Sequence, residues 1–217
     1  MGQNKQQLGQ GRDPAFPRLL GDRLCLDFAN TVESPLGKHP EDFLHDYAAL
    51  VRWSWHVGIL ADDATALLLT ESTRQPEAAA AVFTQALALR ATITALFRAI
   101  AHDEVPGPVD LGHLRGGYHN LLSHTMLTPQ ADGYGWEWPA ASMALDRPLW
   151  PVAQSAITVL TTDDLSRVRQ CPGANDCGWL FYDTSKNRSR RWCSMEGCGS
   201  RVKMRQQYAK KREGRAG

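Results

Sequence analysis

The chain has 217 residues, 43% of them hydrophobic, and a net charge of +1, enough apolar matter for one ordinary core plus a small appendage. Its opening, Met1 to Pro14, is polar and glycine-rich and does not read as a secretory leader, and no run reads as long as the ~20 residues of a membrane span, so a cytoplasmic protein is expected. The near-neutral total averages two unlike parts: residues 1–166 carry 11 basic against 19 acidic side chains, a net of −8, and residues 167–217 carry 13 against 4, a net of +9. A polyanion is repelled by the first part and drawn to the second, so any nucleic-acid contact is expected C-terminal.

In chain order, residues 1–14 are expected to be a disordered leader. Asp22 to Val32 (DRLCLDFANTV) alternates Leu24, Leu26 and Phe28 on one face, the pattern of a half-buried strand. Cys25 has the opposite parity and is given no role. From Glu41 the spacing turns helical, with Phe43, Tyr47, Leu50 and Val51 on one face until Gly58 closes the segment. A short helix over Asp62–Thr70 follows. The longest helix, Ala78–Ile100, is opened by Pro76 and ended by Val105-Pro-Gly-Pro. A fourth, Val109–Ser123, is weakened by Gly112, Gly116 and Gly117. Gly133-Tyr-Gly-Trp-Glu-Trp reads as a strand and Leu149–Leu160 as a helix. The polar joint Thr161–Leu165 then divides a mainly helical domain with a minor sheet, residues 15–165, from a C-terminal module, residues 166–217.

Four of the five cysteines fall in that module, as Cys171-x5-Cys177, fifteen residues, and Cys193-x4-Cys198. Each close pair supplies two thiolates from one turn, and a hairpin-length spacer lets the chain bring both pairs to one ion, as tetrahedral zinc requires. Trp179-Leu-Phe-Tyr and Arg191-Trp192 are expected to be the two hairpin strands, with Asp183–Ser189 as the turn. Gly173, Gly178, Gly197 and Gly199 stand where backbone must approach sulfur. Two disulfides, four ordinary thiols and an iron–sulfur cluster are the alternatives. The first needs an oxidising compartment and the last a tighter cysteine cluster. Four thiolates leave no open position, so the expected zinc ion is structural.

At this point the chain resembles a known family, the bacterial CGNR zinc-finger proteins, whose N-terminal part is the ABATE domain, described as a stress-induced transcription regulator. The resemblance covers most of the chain. It is carried by Leu24-Cys-Leu-Asp-Phe-Ala-Asn-Thr, by Leu149-Trp-Pro-Val-Ala, and above all by the run from Arg169-Gln-Cys-Pro through Asp183-Thr-Ser-Lys-Asn and Arg190-Arg-Trp-Cys-Ser-Met to Cys198-Gly-Ser-Arg. It implies zinc held by Cys171, Cys177, Cys193 and Cys198, together with DNA binding. The family tetrapeptide Cys-Gly-Asn-Arg is Cys198-Gly199-Ser200-Arg201 here, so a base contact by that asparagine would be missing, while serine can still cap a helix.

Ser200 reads as an N-cap, with a helix over Arg201–Arg212. At 100° per residue, Arg201, Arg205, Tyr208 and Arg212 fall within about 60° of one another. Lys186, Arg188, Arg190 and Arg191 add charge in the turn, so a zinc-anchored helix could enter a groove while the turn meets phosphates. Against this stands a merely solvated helix, with Arg190 or Arg201 balancing the anionic zinc centre, or docking on the acidic N-terminal part. Seven scattered histidines form no close metal pair, and no nucleophile elbow or phosphate loop occurs, so an enzyme is not expected. Asp27 and Asn30 are the candidate lining of a ligand pocket, against a plain turn or cap role.

The expected molecule is thus α+β: a mainly helical domain and a treble-clef-like zinc module of hairpin and helix. It is expected to act as a zinc-dependent DNA-binding transcription regulator, responsive to a small-molecule or protein effector and open to homodimerisation. The alternative is a zinc-stabilised protein- or RNA-interaction module.

Overall fold

The computed structural model describes residues 11–33, 37, 40–139, 142–173 and 177–213, with side chains to residue 208. Its first helix is α1 (Leu24–Ala29), where the sequence suggested a strand. Cys25, Leu26, Phe28 and Ala29 are all buried, so apolar residues on both parities satisfy a helical face that six residues cannot distinguish from alternation. Two-residue strands β1 (Val32–Glu33) and β2 (Glu41–Asp42) pair antiparallel and lead into α2 (Tyr47–His56). The Asp46 carboxylate caps α2 by accepting from the Ala49 N–H at 2.6 Å.

Helices α3 (Asp62–Arg74), α4 (Pro76–Ala101) and α5 (Pro108–Ser123) follow, then the antiparallel hairpin β3 (Met126–Gln130) and β4 (Gly133–Glu137), and α6 (Leu149–Thr162). Pro76 and Pro108 sit in the first turns of their helices, where the missing N–H costs nothing. Helix α5 forms despite its glycines because it packs between α4 and α6, burying Leu114 and Leu121.

The 26-residue α4 corrects one expectation: by length and composition it could cross a membrane. In the fold it is the central strut, burying Ala79, Ala86, Ile93, Leu96 and Phe97 against its neighbours. Phe28 and Trp53 meet at 5.0 Å in the same core.

Helix α6 ends in a single 3₁₀ turn, Leu165–Arg167, and the chain enters β5 (Val168–Gln170), which pairs antiparallel with β6 (Leu180–Tyr182). Val168, Leu180 and Tyr182 belong to the main core, so the C-terminal module is built onto the helical part. A π-helical turn, Met195–Gly199, runs directly into α7 (Ser200–Glu213). Of the expected leader, residues 1–10 lie outside the described residues. The Arg12 and Asp13 N–H groups donate to the backbone oxygen and Nδ1 of His56.

Candidate metal centre and basic surface

The first cysteine pair is itself the hairpin turn. Strand β5 runs into Cys171 and β6 leaves Cys177, with the Cys171 N–H bonded to Trp179 O at 2.8 Å and the Gly178 N–H to Cys171 O at 3.2 Å. Strand β6 therefore pairs with β5 and not with Arg191-Trp192, as the sequence suggested. The backbone bonds between Cys171 and Trp179 and the β5–β6 register commit β6 to the segment before Cys171.

The spacer folds instead around Asp183, which is fully buried. Its Oδ1 accepts from the Ser185 N–H and hydroxyl, and its Oδ2 from the Arg190 N–H at 3.1 Å. Against the penalty of burial, these bonds hold the Asp183 carboxyl below its ordinary range.

The second pair sits at the entrance of α7. Ser194, not Ser200, is the cap: it is extended, and its hydroxyl accepts from the Gly197 N–H. Ser200 is already helical and donates its hydroxyl to Met195 O at 3.0 Å. One extra residue in the π-helical turn moves the helix start upstream and brings Cys198 to face Cys193.

The four sulfurs converge. The Sγ atoms of Cys171, Cys177, Cys193 and Cys198 lie within 4.8 Å of one another and all four residues are buried. Cys177 and Cys193 approach to 3.7 Å, and Cys193 and Cys198 to 3.6 Å. A tetrahedral zinc with Zn–S near 2.3 Å sets its sulfurs roughly 3.8 Å apart, so the donor set fits the ion. The Cys193 N–H points at the Cys171 sulfur at 3.3 Å, a hydrogen bond that steadies a metal thiolate.

As bare thiols the four would be frustrated. Hydrogen bonds from Cys177 and Cys193 draw the Cys171 thiol far down, and the same hydrogen bonds to Cys171 hold Cys177 up at about 12 and push Cys193 up as well. A divalent cation removes the conflict by letting all four ionise. Gly173 is required by this closeness: a Cβ there would lie 2.7 Å from the Cys198 sulfur. Gly178, at φ +65°, takes the left-handed turn into β6.

Arg190 is the pin of the module. Its five N–H donors go to Trp192 O, Tyr182 O, Leu20 O, Cys193 O and the Asp22 carboxylate, and its guanidinium lies over the Phe181 ring. No donor is left for a phosphate. Arg188 pairs with Asp164 at 2.7 Å and with the Ser166 hydroxyl at 2.8 Å, residues on the two sides of the boundary.

Of the other candidate nucleic-acid contacts, Lys186, Arg191, Arg201, Arg205 and Tyr208 are exposed, Arg191 lying over Trp192. Arg201, Arg205 and Tyr208 share a face of α7 by helical spacing. The Arg212 side chain lies outside the described residues.

Asp27 and Asn30 have different surroundings. Asn30 is buried, and its amide clamps the backbone of one β6 residue: Nδ2 donates to Leu180 O at 2.8 Å and Oδ1 accepts from Leu180 N at 2.9 Å. It also borders a cleft of about 370 Å³ beside Arg90 and Arg98, of which Asp27 is not part.

The Asp27 carboxylate accepts the Gly21 N–H at 2.7 Å, and burial pushes its pKa up to about 7. A carboxyl raised in the fold above its unfolded value contributes full stability below pH 4, lost as pH rises through 7. At fixed zinc, Asp27→Asn should therefore gain stability over wild type as pH climbs from 4 to 8, on the order of 2 to 4 kcal/mol by urea unfolding. A difference independent of pH would remove this account.

Residues 22–163 match a family model described as ABATE, "putative stress-induced transcription regulator", and residues 167–211 match the CGNR zinc finger. Among curated proteins no relative matches. With that match and the converged sulfurs, the centre is one structural zinc ion held by four cysteines.

Proposed function

We propose, for a chain that belongs to the ABATE family and ends in a CGNR zinc finger, that this zinc-binding, regulator-like protein controls transcription by binding DNA through α7 and the adjoining turn. One observation carries the reading: α7 leaves a closed zinc centre directly, so the exposed Arg201, Arg205 and Tyr208 are aimed by a rigid anchor rather than by a tether. The net charge of +9 over residues 167–217 supplies the attraction, and Lys186 and Arg191 extend it toward phosphates. On this reading the protein works in the cytoplasm, where thiols stay reduced, and catalyses nothing itself.

The test is binding to duplex DNA across a salt series. Arg201→Ala with Arg205→Ala should weaken binding at low salt and flatten the slope of log K against log salt by about 2, one unit for each lost phosphate contact. An unchanged slope, or no binding at 50 mM salt with zinc in place, would turn the module into a protein-interaction unit.

A further inference from the structure

A cavity among the described residues lies away from the zinc, between α4, α5 and the start of α6. It is an open groove of about 1210 Å³. Its walls are apolar and small-residued: Val82, Leu89 and several alanines of α4 face Gly112 and Gly116 of α5. A Cβ added at Gly112 or Gly116 would meet no atom within 4 Å. The glycines that weaken α5 as a helix are therefore not needed for helix packing. They keep the groove wide.

Two further features say what the groove would take. Trp150 lines it, is only 2% exposed, and its indole N–H has no acceptor among the described residues, an omission that buried polar groups rarely tolerate. The Trp150 ring is stacked on His124 at 4.4 Å, so its position is fixed. Beside it is Asp146, which accepts from Asn120 Nδ2 at 2.7 Å and stands 3.7 Å from His124 Nε2. Asp110 also borders the groove, and no lysine or arginine does. Apolar walls, an indole donor awaiting an acceptor and two carboxylates, with His113 and His124 but no lysine or arginine among the lining residues, define one chemistry.

We propose that this groove is a binding site for a small apolar organic cation that also carries a hydrogen-bond acceptor. The apolar body lies along α4 and α5, the acceptor satisfies Trp150, and the positive charge is set against Asp146. The site depends only on the helical domain and is independent of the DNA-binding reading, so either can fail alone.

The test uses the full zinc-loaded chain without DNA, titrated into rhodamine 6G, a flat cation bearing an ester carbonyl, with fluorescein as the anion of comparable ring size. Fluorescence polarisation should show saturable binding of the cation and at least tenfold weaker binding of the anion. Gly116→Leu projects into open space, improves helix propensity and fills the groove. It should keep the wild-type melting temperature or raise it, and abolish binding. Asp146→Asn should weaken the cation about tenfold, and Trp150→Phe a few-fold.

Equal affinity for both dyes, no saturation, or full binding by the Gly116→Leu variant would overturn the proposal. So would a dimer that Gly116→Leu converts to monomer, because the groove would then seat a second copy.

Discussion

Cys198→Ser should yield a chain that no longer carries one zinc per molecule when purified under reducing conditions, while most of its helical circular dichroism survives. The reasoning is local. With the ion gone, four thiols within 4.8 Å have, among the described residues, Trp179, Phe181, Leu20 and Trp192 for apolar company, too little to order the knuckle loops. Zinc binding in small modules is worth on the order of 10 to 16 kcal/mol, and this is what the loops lose. The helical part keeps its own core, so the transition splits. A low-temperature step reported by Trp179 and Trp192 fluorescence should precede the main unfolding, and a chelator should produce the same step in the wild type. Stoichiometric zinc retained by the variant, or none in the native protein, would refute the four-sulfur centre.

Replacing Arg190 should be the most damaging change that leaves all four sulfurs in place. Arg190→Ala removes a guanidinium from five acceptors and leaves the Leu20, Cys193 and Trp192 carbonyls unpaired at the joint of the module, a cost of about 3 kcal/mol or more by urea unfolding. Arg190→Lys should recover little. A single ammonium has three donors and no planar fork, and it cannot stack on Phe181 in the same way. The change also separates two roles. If Arg190 served nucleic acid, lysine would preserve stability and much of the affinity. If it pins the module, both charge-keeping and charge-removing variants should unfold early and release zinc faster. A loss below 1 kcal/mol in either variant would contradict the pin.

The zinc centre was legible because ligand spacing is a local property: two close cysteine pairs with turn residues between them admit few other geometries. The helical plan was legible for the same reason, through the apolar periodicity of residues 76–101 and 149–162. Where the reading failed, a partner distant in sequence decided. The segment at residue 24 is a helix because both its parities are buried beneath α4 and α6, which alternation alone cannot reveal. Asn30, a candidate lining of a pocket, borders a cleft, but the sequence does not show what holds its amide. Its partner is the backbone of Leu180, 150 residues away. Arg190 looked like surface charge for a similar reason, since Leu20 and Asp22 lie at the other end of the chain. The start of α7 was misplaced by the π-helical turn, whose extra residue has no sequence signature.

The clamp of Asn30 on Leu180 is reinforced by Trp179 Nε1 donating to Val32 O at 2.8 Å and by the Tyr182 N–H reaching Gly21 O at 2.9 Å. Segment 21–32 is thereby as much a piece of the finger as of the helices, although 135 residues separate Val32 from Val168. A cassette cut at residue 166 and spliced onto another host would arrive with a raw flank, its indole and peptide groups stripped of their acceptors. Grafting the finger means transplanting both stretches together, so within this architecture recombination by simple end-joining is a poor route to a new host for the finger, and drift of exposed side chains on α7 is the easier way to alter its surface.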